Sequence, residues 1–253
     1  MLTVEALHLG TVTVDKSTLT FMRGFGVPVD VPIVAWLIRS GDRVWLVDTG
    51  APPPSFTQTH FCPMTQTREE TLGARLDAVG INPEAVDTVV LTHLHYDHVG
   101  GNHLFPQARF VVQRTELEYA RAPLPIHCRG YQHPTAGFED ATWSDVDWLV
   151  VDGDVKLAPG LRLILTPGHT PGLQALVVDT ASGRLVIASD TVPLYENWLG
   201  HPPLEPHIPS GVHVDLCAYY ESFRRLEAEG GTLLPGHDPA LFRSPSSAPI
   251  GSH

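Results

Sequence analysis

Cysteine is scarce in this chain: Cys62, Cys128 and Cys217 are the three in 253 residues. They lie far apart, are odd in number, and show neither zinc-finger nor redox spacing, so no disulfide framework is implied. Three reduced thiols in a cytoplasmic, reducing compartment are expected. Positive charge is also short, with 16 Lys and Arg against 28 Asp and Glu and a formal net charge of −12. Phosphate binding wants a basic surface, so nucleic acid is not an expected partner. Long apolar runs are missing too. The longest, Ile33 to Ile38, is far too short to span a bilayer. Met1-Leu-Thr-Val-Glu5 has no basic segment leading into an apolar one, so neither a signal peptide nor a membrane partner is expected. What is present suffices for folding, since 43% hydrophobic and 17% charged residues allow a sizeable core and argue against disorder.

Read in order, Val4 to Val14 alternates loosely and predicts an opening strand or hairpin. Ile33 to Ile38 and Val44 to Val47 read as strands joined by the turn Ser40-Gly41-Asp42. Residues 51 to 66 open on Ala51-Pro-Pro-Pro54 and predict a long loop; Phe56, His60, Phe61 and Met64 suit a lid that touches a ligand. Thr67 to Val79 has apolar residues at helical spacing with Gly80 as its stop. Phe110 to Val112 predicts a strand, Thr115 to Arg121 a helix capped by Thr115, and residues 122 to 145 an irregular excursion. Strands are expected at Leu161 to Leu165, Leu173 to Val178, Leu185 to Ala188 and Thr232 to Leu234, with a helix over Val214 to Glu229. Strands thus fall in two groups with helices beside each. That pattern predicts a single domain of two sheets over residues 1–240, and a loose tail over 241–253.

The stretch that organises the chain is Leu91-Thr-His-Leu-His-Tyr-Asp-His-Val-Gly-Gly101. His93, His95, Asp97 and His98 fall within six residues, directly after the apolar run Thr88 to Leu91. An extended strand end projects His93 and His95 to one side, because side chains alternate with period two. A turn eased by Gly100-Gly101 would bring Asp97 and His98 to the same hollow from a second direction. Imidazole suits zinc, iron and similar ions, and a carboxylate adds an oxygen ligand. Three later strands also end in a ligand residue: Leu163 to Gly168 leads to His169, Leu185 to Ser189 to Asp190, and Thr232 to Gly236 to His237.

With these seven residues, and with Asp48-Thr-Gly50 ahead of them and Gly236-His237-Asp238 behind, nearly the whole chain resembles the metallo-β-lactamase superfamily. The resemblance implies an α/β four-layer αβ/βα sandwich. It implies that His93, His95 and His169 hold one metal, that Asp97, His98 and His237 hold a second, and that Asp190 bridges both. Asp48 would orient a histidine ligand. The cofactor implied is a pair of divalent ions, zinc first, with iron, manganese or cobalt as alternatives. A carboxylate bridging two such ions leaves room for a hydroxide to attack a carbonyl, with Asp97 passing a proton to the leaving group.

Activity within this scaffold has to come from features beyond the ligands. About ninety residues precede the histidine cluster, a front similar to that of N-acyl-homoserine lactonases and the lactonases of vitamin B6 breakdown. Glyoxalase II enzymes have a shorter front and a helical C-terminal domain, for which the sixteen residues after His237 are too few. True β-lactamases typically lack an aspartate at the bridging position, and RNA-processing members suit a more basic chain. The motifs Thr166-Pro-Gly-His-Thr-Pro-Gly172 and His93 to Asn102 are similar to the lactonase versions. The resemblance therefore implies a quorum-quenching lactonase acting on a small lactone or ester. In the lactonases a tyrosine just past the bridging aspartate bonds the substrate carbonyl; here Tyr195 stands two positions late and is the catalytic candidate beside Asp97. Phe56, Phe61, Trp143 and Trp198 are candidates for an acyl pocket. The alternatives are a thioester, aryl-ester or organophosphate hydrolase, a mono-iron persulfide dioxygenase, or a metal-free binding scaffold. A homodimer is an open expectation, since the front loop could pack on a second subunit. The other nine histidines show no partner spacing.

Overall fold

The computed structural model describes residues 1–243. One sheet contains β1 (Thr3–Asp15), β2 (Pro28–Ser40), β3 (Arg43–Val47), β4 (Met64–Thr65), β5 (Thr88–Val90), β6 (Arg109–Gln113) and β7 (Asp147–Val151), in the order β4-β1-β2-β3-β5-β6-β7. The other contains β8 (Val155–Ala158), β9 (Leu161–Leu165), β10 (Gln174–Thr180), β11 (Gly183–Ser189) and β12 (Thr232–Pro235), in the order β12-β11-β10-β9-β8. Helices are α1 (Lys16–Leu19), α2 (Pro54–His60), α3 (Leu72–Ala78), α4 (Tyr96–Val99), α5 (Arg114–Arg121), α6 (Tyr195–Leu199) and α7 (Leu216–Glu229).

Period-two alternation builds the layers. Along β2, Ile33, Ala35 and Leu37 face one cluster with Leu72, Leu76 and Leu117 of α3 and α5. Val34, Trp36 and Ile38 face the other way, onto Leu161, Leu163, Leu176 and Val178 of the second sheet. The far side of that sheet shows Ile164, Ala175, Val177 and Val186 to Tyr219, Phe223 and Leu226 of α7. The result is helices, sheet, sheet, helix: the α/β sandwich expected. Both faces of the inner strands are buried, which is why they read as continuous apolar runs.

Local chemistry sets several boundaries. Asp215 caps α7 by accepting from the Ala218 amide at 3.0 Å, and Gly230 follows the helix with φ +62°. The helix expected over 67–79 is divided at Thr71, whose extended backbone ends one short 3₁₀ turn and whose side chain caps α3. The residue preceding α5 at its cap is Gln113 rather than Thr115, whose hydroxyl instead donates to the Pro171 carbonyl. Residues 51–66, expected as a loop, contain α2, begun by Pro54 in its first turn, and the short strand β4. The strands β7 and β8 and the helix α6 were not expected, and each is only four or five residues long. The loose tail expected at 241–253 lies outside the described residues from 244 onward. No helix among the described residues is long and apolar enough to cross a membrane.

Candidate metal centre

The site residues sit beyond the C-terminal ends of strands from both sheets. β3 delivers Asp48, β5 the His93–His98 run, β11 Asp190 and β12 His237, while His169 stands on the loop from β9 to β10. Strand β5 stops at Val90, so His93 and His95 lie on the loop into α4 rather than on the strand itself. Asp97 and His98 then project from the first turn of α4. Gly100 and Gly101 form the turn that follows α4, both at negative φ. Gly100 is needed because a Cβ there would lie 2.1 Å from the Ala51 carbonyl carbon. True left-handed strain occurs beside the site instead, at Asp48 (φ +59°) and at Ser189 (φ +46°), the residue before Asp190.

All seven candidate ligands converge. His95 Nδ1 stands 3.0 Å from both His93 Nε2 and His169 Nε2. Asp97 Oδ2 is 3.9 Å from the Nε2 atoms of both His98 and His237. Asp190 lies between the two trios. Its Oδ1 is 3.4 Å from His98 Nε2 and 3.1 Å from His237 Nε2, and its Oδ2 is 3.4 Å from His169 Nε2.

Neighbouring acceptors decide which nitrogen of each ring is bare. His169 Nδ1–H donates to the Val212 carbonyl at 2.7 Å and His237 Nδ1–H to the Pro32 carbonyl at 3.0 Å. His98 Nδ1–H donates to Asp48 Oδ2 at 2.8 Å. Each Nε2 therefore turns a lone pair inward. His98 Nε2 is buried without any hydrogen-bond partner among the described residues, a costly arrangement for a polar atom. A cation between these donors removes that cost, so the residues fit a pair of metal ions. The charge pattern agrees. Burial holds His93, His95 and His169 below the ordinary imidazole value, in the neutral form a metal requires. Burial also disfavours charge on His98, but Asp48, Asp97 and Asp190 outweigh it and push its imidazolium well above the ordinary range. His237 is raised likewise, with Asp190 overcoming burial. Without metal, protons collect where the carboxylates demand positive charge.

The centre forms the floor of a cavity of about 510 Å³. Apolar side chains, among them Val12, Val14, Leu19, Val31, Phe61 and Ile126, make much of its wall. Phe61 stacks on Tyr96 with ring centroids 3.6 Å apart. The other aromatic candidates are elsewhere. Trp143 is in the core and donates to the Tyr131 carbonyl, Trp198 stacks on His207, and Phe56 packs against His60 and Phe138. Tyr195 also stands off the cavity wall as described. It opens α6, its amide donates to Asp238, and its phenol has no hydrogen bond to any of the seven residues. The tyrosine on the wall is Tyr96, and its neighbours there include Cys62, His127 and Arg129. Tyr96 could have been found from its place between His95 and Asp97; His127 and Arg129 carried no spacing signal.

Residues 28–237 match the model of a family described as the metallo-beta-lactamase superfamily. The chain belongs to that superfamily. Among its relatives, an N-acyl homoserine lactonase of a Bacillus species is 29% identical over 216 residues, 80% of this chain and 82% of the relative. The N-acyl homoserine lactonase AttM of Azorhizobium caulinodans is 29% identical over 258 residues, 96% of this chain and 95% of its own. A solved N-acyl homoserine lactone hydrolase, with the product N-hexanoyl-L-homoserine at its catalytic metal centre, superposes with a TM-score of 0.78. It is 25% identical, and the match covers 94% of this chain and 93% of that one.

Proposed function

We propose that this protein is a dinuclear-metal hydrolase that opens the ring of N-acyl homoserine lactones, and so quenches quorum signals. The observation that carries the reading is the joining of two donor trios, with Asp190 between them, to one largely apolar cavity. The product-bound relative and the lactonases above support the substrate class. Zinc is the proposed ion, because imidazole and carboxylate donors suit it, and iron, manganese and cobalt suit the same set.

His93, His95 and His169 would hold one ion, Asp97, His98 and His237 the other, and Asp190 both. Such ions supply a water of near-neutral pKa and polarise a carbonyl. The protein does the rest. The apolar wall takes the acyl chain and excludes water from it. The stacked pair of Phe61 and Tyr96 borders the path to the floor, so the segment 51–66 serves as a lid over the site. Asp97 presents a carboxylate to the cavity; it would take the proton released as water adds to the carbonyl and pass it to the ring oxygen as the C–O bond breaks. Tyr195 has no part in substrate binding in this scheme, and the phenol available at the wall is that of Tyr96. We further propose that residues 1–240 act as one domain in the cytoplasm, where the three free thiols persist.

The test is a metal count by elemental analysis, followed by rates on an acyl-homoserine lactone, a lactoyl thioester and a phosphotriester. Two bound ions and a clear preference for the lactone are expected. Undiminished lactonase activity after verified removal of all metal overturns the proposal, as does a higher rate on either other substrate.

A further inference from the structure

We propose that Glu116, outside the seven candidate ligands, is the positioning residue of the three-histidine half of the centre. This rests on the dinuclear reading above. Glu116 lies on α5 and is fully buried, yet its carboxylate meets only neutral donors among the described residues. A buried carboxylate of this kind is expensive, and a purely structural position is filled more cheaply by an apolar side chain. What it bonds explains its presence.

Oε1 accepts from the Leu94 amide at 3.0 Å and from the Tyr131 hydroxyl at 2.9 Å. Leu94 stands between His93 and His95. Oε2 accepts from the Thr170 hydroxyl at 2.6 Å and from the Gly172 amide at 3.1 Å. Thr170 follows His169 directly. One oxygen thus holds the loop of His93 and His95, and the other holds the loop of His169. None of the four bonds ends on Asp97, His98, Asp190 or His237. The two loops come from different sheets, and the 3.0 Å approach of His95 Nδ1 to both His93 and His169 depends on their separation. Gly172 shows how closely the second loop is seated, since a Cβ there would fall 2.3 Å from the Glu116 backbone nitrogen.

His95 needs this support more than its neighbours. His93, His169, His98 and His237 each bond a protein oxygen through the ring nitrogen turned away from the centre. Among the described residues, His95 has no such bond. Its ring is held by packing, edge-on against Tyr131 at a centroid distance of 4.8 Å. Tyr131 is itself fixed by Glu116. The carboxylate therefore sets the distance between two loops and the angle of one ring.

The experiment is a cobalt(II) titration with chelator competition on wild type, Glu116→Gln, Tyr131→Phe, Thr170→Val and Thr170→Ser. The three-histidine binding step is identified by its absence in His169→Ala. Glutamine cannot accept all four bonds, because its amide nitrogen must face one of the loop N–H groups. Glu116→Gln is expected to weaken the three-histidine step about 10–100-fold and leave the Asp97–His98–His237 step unchanged. Thr170→Val and Tyr131→Phe should weaken the same step by less, and Thr170→Ser, which keeps the hydroxyl, should restore it. Variants that melt lower but bind both ions like wild type overturn the inference, leaving Glu116 a structural residue only. If Glu116→Gln does not fold, the Thr170 and Tyr131 variants decide by the same readout, and equal affinities in all of them overturn it. A wild type that binds no cobalt overturns the dinuclear reading itself, a different result from two ions bound equally well by every variant.

Discussion

Asp48 accepts a hydrogen bond from His98 Nδ1 at 2.8 Å, and its other oxygen accepts from the Thr92 amide at 2.7 Å. One buried carboxylate thereby aims a histidine at the centre and ties down the chain as it leaves β5. Asparagine at this position supplies one acceptor oxygen and an NH2 group that cannot accept. If Asp97, His98 and His237 hold a metal as proposed, Asp48→Asn is therefore expected to weaken its binding about 10–100-fold, measured by chelator competition. Equal affinity in the variant would mean that His98 is oriented by packing alone.

Asp97 has a different expected signature. Asp97→Asn keeps the shape and loses the proton carrier, so kcat should fall about 10²–10⁴-fold with a smaller change in KM. Steady-state kinetics on enzyme verified to hold two ions would check this, and a change confined to KM counts against proton transfer.

The two tyrosines should separate cleanly. Tyr195 stands off the cavity wall, so Tyr195→Phe is expected to change kcat/KM by less than the roughly fivefold that one lost hydrogen bond of about 1 kcal/mol brings. Tyr96 borders the cavity and stacks on Phe61, so Tyr96→Ala should raise KM most for long-chain substrates. A larger loss at Tyr195 would show that α6 moves toward the substrate.

Stability of the metal-free protein should be highest near pH 6.5, the ordinary imidazole value. His98 and His237 are raised in the folded state, so the fold holds extra protons above that pH, and their stabilisation is lost as pH rises through the raised values. His93, His95 and His169 are lowered, so the unfolded chain takes protons first and stability falls as pH drops below 6.5. Melting temperatures from pH 5 to 9 after chelation test both arms. A monotonic profile is the contrary result. Metal loading should remove the upper arm, because bound imidazoles are already deprotonated.

Phe223 is fully buried between the second sheet and α7, near Tyr219 and His207. Phe223→Ala should cost about 3–5 kcal/mol in urea unfolding, through lost burial and the cavity left behind. A loss below about 1 kcal/mol would mean that α7 contributes little to the sandwich.

The inner strands could be read in advance because burial on both faces makes them continuous apolar runs, and α7 because its apolar residues recur at helical spacing. The short elements could not. Strand β7 pairs with β6 along its length, yet its own residues are only half-buried or exposed and leave no clean alternation. Helix α2 begins on the last of three prolines that read as a break, although proline is well suited to a helix's first turn. The seven candidate ligands could be picked out, and found converging, because metal chemistry restricts residue type so strongly that a strand end carrying His or Asp stands out.

The sequence by itself determined the ligand chemistry, the two-sheet architecture and the acidic balance of this protein, since each depends on residue identity or period along the chain. Only the tertiary structure decided which side chains border the cavity and how the ligands are held. Tyr96 came forward where Tyr195 was expected, and Glu116 joined two loops that are 54 and 22 residues from it in the chain. No local pattern encodes such meetings, because the packing of one sheet on the other brings those loops together.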